Sequence, residues 1–228
     1  MSEFFLKIRP IIIAFLIIFF CGCSNDKKTP ATDQNNATEN NNIASVPKKT
    51  IVFFGNSLTA GYGLSPEQAF TSLIQKRIDS LNLPYNVVNA GVSGETSSGG
   101  KTRIDWILQQ QVDIFVLELG ANDGLRGIPL YETRKNLQDI IDSVKAKHPQ
   151  AKLLFAGMQI PPNMGQTYAT EFRDMFRELA TKNSMALIPF LLEGVGEPEL
   201  NQADGIHPNE KGSKIVAENV WKELQKLL

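Results

Sequence analysis

Three side chains at separate points of the chain could together make a hydroxyl group nucleophilic. Ser57 follows directly on an apolar run in the segment FFGNSLTAGYGL, and Asp204 precedes His207 by three residues in ADGIHPNEKG. A serine hydroxyl is a poor nucleophile at neutral pH, so it needs a base within hydrogen-bonding distance. An imidazole can be that base when one of its nitrogens binds a carboxylate and the other stays free to accept a proton.

Each of these residues also has a plainer interpretation. Ser57 could cap the helix that follows the apolar run, and His207 could lie in a solvated turn where Pro208 begins the last helix. The other histidine, His148, ends a predicted helix before Pro149, where a cation interacts favourably with the helix dipole. His207 is therefore the one histidine left for a catalytic role.

The segments between these residues alternate between two patterns. Five short apolar runs, closed by glycine or proline, are typical of buried strands: TIVFFG, YNVVNAG, DIFVLELG, KLLFAGM and ALIPF. Helical spacing follows in four segments, from Pro66, from Tyr131 to His148, from Tyr168 to Ala180 and from Glu210 to Leu228. The alternation predicts a three-layer α/β/α fold, with a flavodoxin-like five-stranded parallel sheet and helices on both faces.

Small and polar residues follow the first three predicted strands, in GNSLTAG, GVSGETS and GANDGLRG. In a doubly wound parallel sheet, ligands bind beyond the carboxyl ends of the strands, where the strand order reverses. We therefore expect these three segments to face one another there.

Four motifs, in this order along the chain, resemble those of the SGNH (GDSL-type) hydrolases. They are FFGNSLTAGYG around Ser57, NAGVSGETS around Gly91, ELGANDGLRG around Asn122, and DGIHPNEKG with Asp204 and His207. The resemblance implies a serine nucleophile activated by the histidine and the aspartate. It also implies an oxyanion hole made by the backbone N–H groups of Ser57 and Gly91 and the side-chain amide of Asn122.

The resemblance covers residues 49–228 and favours the bacterial branch with acyl-CoA thioesterase, lysophospholipase and arylesterase activities. It implies hydrolysis of carboxylic esters or thioesters with small to medium acyl chains, without a cofactor. Our hypothesis is that GLRGIP covers the acyl chain through Leu125 and Ile128, although it could be an ordinary loop. Ile160 and Met164 are predicted to line the far wall of the substrate site, or else to pack in the core.

One residue departs from the family pattern, since Asn56 stands where an aspartate usually precedes the serine. An amide is nearly the same size as a carboxyl group but carries no charge. We therefore expect one negative charge near Ser57 and His207 to be missing, with a modest change in the pH profile.

The first 22 residues are predicted to be a lipoprotein signal peptide. Lys7 and Arg9 precede an apolar run over 11–20 that is too short to span a bilayer. The sequence FCGC that follows resembles a lipobox, which implies acylation of Cys23 and a lipid anchor. The alternatives are a membrane anchor that starts at Phe4, or incidental cysteines within a signal peptide.

The segment 23–48 is rich in Asn, Thr and Ala and nearly free of large apolar residues, which predicts a flexible tether. The ordered domain then covers residues 49–228. Together these features predict a protein that is exported and lipid-anchored to the bacterial cell envelope, on the periplasmic side or at the outer membrane. We expect a monomer.

Composition and spacing weigh against three other classes of protein. A net charge of −1 argues against a nucleic-acid-binding protein. The register of GETSSGGKT does not fit a phosphate-binding loop, and two distant histidines without a cysteine pair do not provide a metal site. The alternatives that remain are a non-catalytic surface lipoprotein that binds lipid or glycan, and a carbohydrate O-acetyl esterase.

Overall fold

The structure is a computed structural model that describes residues 47–161 and 165–228. The predicted signal peptide, the tether up to residue 46 with Cys23, and Met164 lie outside the described residues. Within the described part of the chain, no helix is both long enough and apolar enough to cross a membrane.

A single five-stranded sheet forms the centre of the domain. Its strands are β1 (Lys49–Gly55), β2 (Tyr85–Gly91), β3 (Ile114–Glu118), β4 (Lys152–Ala156) and β5 (Ala186–Ile188). All neighbouring strands are parallel, and their order is β2-β1-β3-β4-β5. The strand order reverses beside β1, so the carboxyl ends of β1, β2 and β3 are adjacent. The predicted flavodoxin-like parallel sheet is confirmed.

Some of the helices have a regular apolar periodicity in the sequence that predicted them, and others do not. They are α1 (Ser57–Ala60), α2 (Phe70–Ser80), α3 (Ser97–Ile107), α4 (Ala121–Leu125), α5 (Leu130–Lys147), α6 (Gln166–Asn183) and α7 (Glu210–Leu224). The four predicted helices correspond to α2, α5, α6 and α7. Helix α1 was anticipated only as a helix that Ser57 could cap, and α3 and α4 were not predicted. All three begin within the segments that follow β1, β2 and β3.

Two neighbouring phenylalanines show how the sheet divides the core. Phe53 packs edge-on against Phe70 of α2, with ring centroids 5.6 Å apart. Phe54 lies on the opposite face, because successive strand residues point to opposite sides, and it packs beside Gly100 of α3. Helices α2 and α7 therefore cover one face, while α3 packs against α5 and α5 against α6 on the other.

Helix α3 was missed because its sequence, SSGGKTRIDWI, contains two glycines and little apolar periodicity. Thr96 caps its first turn by accepting a hydrogen bond from the Gly99 N–H at 3.4 Å. A Cβ atom at position 100 would overlap Leu119 and press on Phe54, so glycine allows the helix to approach the sheet closely. This helix begins within the segment whose register does not fit a phosphate-binding loop.

Candidate active site

The turn between β1 and α1 places Ser57 at the carboxyl edge of the sheet. Ser57 is the first residue of α1, and the Asn56 side chain caps the helix by accepting from the Leu58 N–H at 3.0 Å. Gly61 ends the helix after one turn with a left-handed backbone, at φ 75°. Capping is therefore performed by Asn56, so the Ser57 hydroxyl is not needed for it.

The segment before α7 is held in place by several backbone contacts. Asn201 and Pro208 form an isolated antiparallel bridge, and the Gln202 N–H donates to the His207 carbonyl at 2.8 Å. Asn209 caps α7 by accepting from the N–H groups of its first turn. These contacts fix the loop that carries Asp204 and His207.

The three side chains singled out first in the sequence meet in one line of hydrogen bonds. His207 Nε2 lies 2.8 Å from Ser57 Oγ, and His207 Nδ1 lies 2.7 Å from Asp204 Oδ2. A carboxylate only accepts, so Nδ1 carries the ring hydrogen and Nε2 is left to accept from the serine. Asn56 Oδ1 is the other acceptor near Ser57 Oγ, but it is farther away at 3.4 Å.

Asp204 is held in its ionised form by hydrogen-bond donors. Its Oδ1 accepts from the backbone N–H groups of Ile206 and His207, at 2.9 and 3.0 Å. These bonds, the one from the His207 backbone first, lower the pKa of Asp204 to about 2. The carboxylate therefore remains charged throughout the range in which esters are hydrolysed near neutral pH.

Gly91 does not lie at this site, so that expectation is wrong. The Gly91 N–H donates to Asn89 Oδ1 at 3.0 Å, and Gly91 lines a separate groove with Trp106. A Cβ atom at position 91 would overlap the backbone of Ala60, so the residue serves close packing of β2 against α1. The second glycine of the same motif, Gly94, lines the cleft beside Ser57 instead.

Gly94 has the backbone freedom that its position requires, at φ 80°. Across the described ranges 47–161 and 165–228, its N–H has no hydrogen-bond acceptor. Arg126 Nη2 donates to the Gly94 carbonyl at 3.0 Å and holds the loop against α4. The sequence carried one signal that favours Gly94 over Gly91. Gly94 follows the end of the predicted second strand, so its backbone N–H is not used in hydrogen bonds to the neighbouring strand.

Asn122 also lines the cleft, as predicted from its motif. One hydrogen of its side-chain amide is bound by the Glu95 carbonyl at 2.9 Å, which fixes the orientation of the amide. The amide nitrogen carries a second hydrogen, which remains for a ligand. Glu95 is itself held by an ion pair with Arg103, so the loop after β2 positions both Gly94 and Asn122.

The cleft around these groups has a volume of about 350 Å³ and largely apolar walls. Leu125 and Ile160, two of the residues predicted to contact the substrate, line it. Ile128 does not line it, and its carbonyl instead accepts from the Tyr168 hydroxyl at 2.7 Å. Lining residues that the sequence analysis did not single out include Leu58, Tyr62, Ser93, Met158, Leu192 and Ile206.

Behind Asn56 lies a buried carboxyl group, that of Glu118, which was not among the residues predicted for the site. Glu118 ends β3, is 1% exposed, and accepts from the Asn56 amide at 2.7 Å. The expected effect of the uncharged Asn56 on the pH profile stays a prediction, and Glu118 is the carboxyl group that its side-chain amide contacts. The oxygens of Glu118 are bound by Asn56 and by Thr59 of α1, so they do not face a ligand.

Among the residues that the structure describes, no group of three or more His, Cys, Asp or Glu side chains could hold a metal ion.

The comparisons with known proteins place the chain among ester-cleaving enzymes. The model of the GDSL-like lipase/acylhydrolase family matches residues 53–215. Esterase TesA of Pseudomonas aeruginosa is 40% identical over 182 residues, which are 79% of this chain and 90% of that protein. Arylesterase of Vibrio mimicus is 35% identical over 187 residues, or 81% of this chain and 92% of that protein.

A third relative is thioesterase 1/protease 1/lysophospholipase L1 of Escherichia coli. It is 37% identical over 181 residues, which are 78% of this chain and 85% of that protein. Among solved structures, the crystal structure of TesA superposes with a TM-score of 0.75 at 40% identity. That superposition covers 79% of this chain and 100% of the other.

Proposed function

The chain belongs to the GDSL-like lipase/acylhydrolase family and is a hydrolase that acts on esters, and we propose that Ser57 is its nucleophile. In this proposal His207 is the general base and Asp204 orients and stabilises the imidazole. One observation carries the proposal: the hydrogen bonds from Ser57 to His207 and from His207 to Asp204, at 2.8 and 2.7 Å, are continuous.

The proposed reaction has two halves that use the same base. Ser57 Oγ attacks the ester carbonyl carbon while its proton moves to His207 Nε2, and the carbonyl electron pair moves onto oxygen. The tetrahedral intermediate then collapses, the bond to the leaving group breaks, and the imidazolium returns the proton to the departing oxygen or sulfur. Water repeats the sequence on the acyl-enzyme, which releases a carboxylic acid and restores the serine hydroxyl.

We propose an oxyanion hole made by the N–H groups of Ser57 and Gly94 and the side-chain amide of Asn122. Ser57 begins α1, so its N–H has no partner within the helix. Gly94 and Asn122 line the same cleft as Ser57. Such donors act on the charge that develops in the transition state, and losing one typically reduces kcat by about 10²–10³-fold.

The cleft walls favour substrates with an apolar acyl group. Leu125 is 46% exposed at the rim, while Ile160 is 8% exposed deeper in the cleft. We propose that Leu125 contacts the acyl chain as part of a covering segment, and that Ile160 limits its depth. The relatives named arylesterase and lysophospholipase support carboxylic esters, and the relative named thioesterase supports thioesters.

The test is hydrolysis of p-nitrophenyl esters and matched thioesters, from acetyl to dodecanoyl, by the full chain. Ser57→Ala should abolish turnover of every substrate, while the exposed-serine control Ser80→Ala should not change it. Turnover by Ser57→Ala at the wild-type rate would reject the proposal.

Chain-length preference tests the proposed contact of Leu125 in the same assay. Leu125→Ala should raise KM for long acyl chains more than for acetyl, and Leu81→Ala, at an exposed leucine of α2's end, should raise neither. An unchanged chain-length preference in Leu125→Ala would remove this residue from the substrate site.

From the N-terminal sequence we further propose export and lipid anchoring through Cys23. Expressed in a bacterial host with its own leader, the wild-type chain should fractionate with membranes and incorporate a labelled fatty acid. Cys23→Ala should lose the label, whereas Cys21→Ala should retain it. Equal labelling of both variants would contradict the proposed attachment site.

A further inference from the structure

Glu118 is a buried carboxyl group that the proposed reaction does not use. It ends β3, and it is the residue paired in register with Gly55 of the neighbouring strand β1. Its side chain is 1% exposed. Ionised groups are seldom buried without a cation, because removing charge from water is costly. A carboxyl group at such a position therefore has a function that an apolar residue would not serve.

Within the described part of the chain, the hydrogen bonds of the Glu118 side chain all go to the turn that carries Ser57. Oε1 accepts from Asn56 Nδ2 at 2.7 Å. Oε2 accepts from the backbone N–H of Asn56 at 3.1 Å, from that of Thr59 at 3.3 Å, and from the Thr59 hydroxyl at 2.8 Å. One carboxyl group thus binds the residue before Ser57 and the residue two positions after it.

The Glu118 carboxylate also determines which way the Asn56 amide points. The amide nitrogen must face the carboxylate, since two oxygen atoms would repel each other. Asn56 Oδ1 is then directed towards the Leu58 N–H at 3.0 Å and the Ser57 hydroxyl at 3.4 Å. A Cβ atom at position 55 would overlap Thr59 Oγ1 and crowd Glu118 Oε2, so Gly55 makes room for this cluster.

Resting on the proposed role of Ser57, we propose that Glu118 is a positioning residue for ester hydrolysis. It holds Asn56 and the first turn of α1 so that the Ser57 hydroxyl and N–H face the substrate. The amide at position 56 is the matching half of the pair, because it donates to the carboxylate and leaves only one ionisable group in the cluster.

Ionisation of Glu118 is linked to this arrangement. Burial raises the pKa of Glu118 to about 7, and the hydrogen bonds from Thr59 and Asn56 limit the rise. A proton on either oxygen would replace an acceptor with a donor and break a bond to the turn.

Other ionisable groups near the cluster are already engaged. Arg103 of α3 lies over the Phe54 ring and pairs with Glu95. Asp123 of α4 binds the Ser97 N–H, and His207 faces the solvent side of Ser57.

The experiment exchanges the amide and the carboxylate. In Glu118→Gln, the NH₂ group of the new amide faces the N–H and O–H donors of Asn56 and Thr59 and cannot accept from them. The turn should therefore shift and displace Ser57, which should lower kcat by about 10- to 100-fold with little change in KM. The double variant Asn56→Asp/Glu118→Gln restores one acceptor opposite one amide, and it should recover most of kcat. Glu171→Gln, at an exposed position of α6, is the matched control.

The single variant Asn56→Asp tests the proposed positioning role of Glu118 even if Glu118→Gln does not fold. Two facing carboxyl groups share one proton, and kcat should fall on the alkaline side as that proton is released. The wild type, which has an amide at position 56, should not show this alkaline loss. A pH–kcat profile identical to the wild type would overturn the proposal.

The remaining outcomes also decide between roles. A purely structural Glu118 would lower the melting temperature while kcat of the folded fraction stayed at the wild-type value in Glu118→Gln. A double variant no more active than Glu118→Gln would also overturn the proposal. Turnover that survives Ser57→Ala would instead reject the proposed nucleophile, which separates the two failures.

Discussion

Two carboxyl groups flank Ser57, and their surroundings push their ionisation in opposite directions. Asp204 lies on the solvent side, where backbone N–H groups lower its pKa to about 2. Glu118 lies on the buried side of Ser57, where burial raises its pKa to about 7. Both accept several hydrogen bonds, so the number of bonds does not explain the difference. Access to water decides it, because burial penalises only the charged form.

This difference matches the role proposed for each group. A partner for an imidazole must be charged when the imidazole takes up a proton, so Asp204 benefits from exposure and strong donors. A group that only fixes a turn needs geometry more than charge, and a buried position supplies rigid partners. The two sides of Ser57 should therefore respond differently to mutation and to pH.

The largest expected effect is on the exposed side. Asp204→Asn keeps the size of the side chain but can hold the imidazole with its hydrogen on the wrong nitrogen, so kcat should fall by about 10³–10⁴-fold. The melting temperature should change little, because the residue is exposed. Steady-state kinetics and circular dichroism check this, with the exposed Asp105→Asn as the control. If Asp204→Asn lowered kcat less than Glu118→Gln does, the buried side of Ser57 and not the exposed side would have the larger effect on turnover.

The second expected effect is on the pH dependence of stability. The folded pKa of Glu118 lies above the unfolded value of 4.5, so its contribution is complete below pH 4.5 and is lost as pH rises through about 7. The shift corresponds to a loss on the order of 3 kcal/mol in the free energy of unfolding. Urea unfolding of the wild type and of Glu118→Gln across this range should show a smaller decline in the variant.

The contribution of Asp204 to the free energy of unfolding should change with pH in the opposite direction. Its folded pKa lies below the unfolded value of 3.8, so its stabilisation is present above pH 3.8 and is lost as pH falls through about 2. The loss should be small, because the carboxylate is exposed and screened by water. If the free energy of unfolding depended on pH in the same way in Asp204→Asn and Glu118→Gln, the assignment of one carboxyl group to an exposed and the other to a buried environment would be contradicted.

The smallest expected effect on turnover follows from removing one donor on the buried side. Thr59→Val deletes the hydroxyl that binds Glu118 Oε2, so it should raise the pKa of Glu118 and lower kcat several-fold. The lost bond should reduce the free energy of unfolding by about 1–3 kcal/mol. Unfolding in urea and a pH–kcat profile measure both quantities.

Thr133→Val is the control for that variant. Thr133 is a buried threonine whose hydroxyl binds another buried carboxyl group, that of Asp123, at 3.3 Å. It should lose stability without the fall in kcat. If both variants lowered kcat equally, the effect of Thr59→Val could not be assigned to its bond with Glu118.

Local patterns in the sequence predicted the parts of the fold that have strong periodicity. The five apolar runs are the five strands, and α2, α5, α6 and α7 follow their predicted segments closely. Helices α3 and α4 were missed, and the extent of α1 was not predicted, because these helices are short or glycine-rich and carry no regular apolar face. Their stability comes from packing against the sheet, as Gly100 shows, and not from intrinsic helix propensity.

The chemistry of the site was predicted from residue types, and its errors concern position along the backbone. Ser57, His207, Asp204 and Asn122 have distinctive side chains in recognisable motifs. Three of them line one cleft in the structure, and Asp204 binds His207 beside it. A glycine offers only its backbone, so the motif alone did not tell Gly91 from Gly94. The direction of an N–H depends on where β2 ends and its ladder with β1 stops.

The sequence by itself determined the order of strands and helices and the chemical groups available for ester hydrolysis. Tertiary structure decided which of those groups share a cleft and what charge each one carries. Glu118 is separated from Asn56 by 62 residues, and only the parallel pairing of β1 with β3 brings them together. Burial at that contact then sets the ionisation, because desolvation depends on all the atoms that exclude water and not on neighbours along the chain.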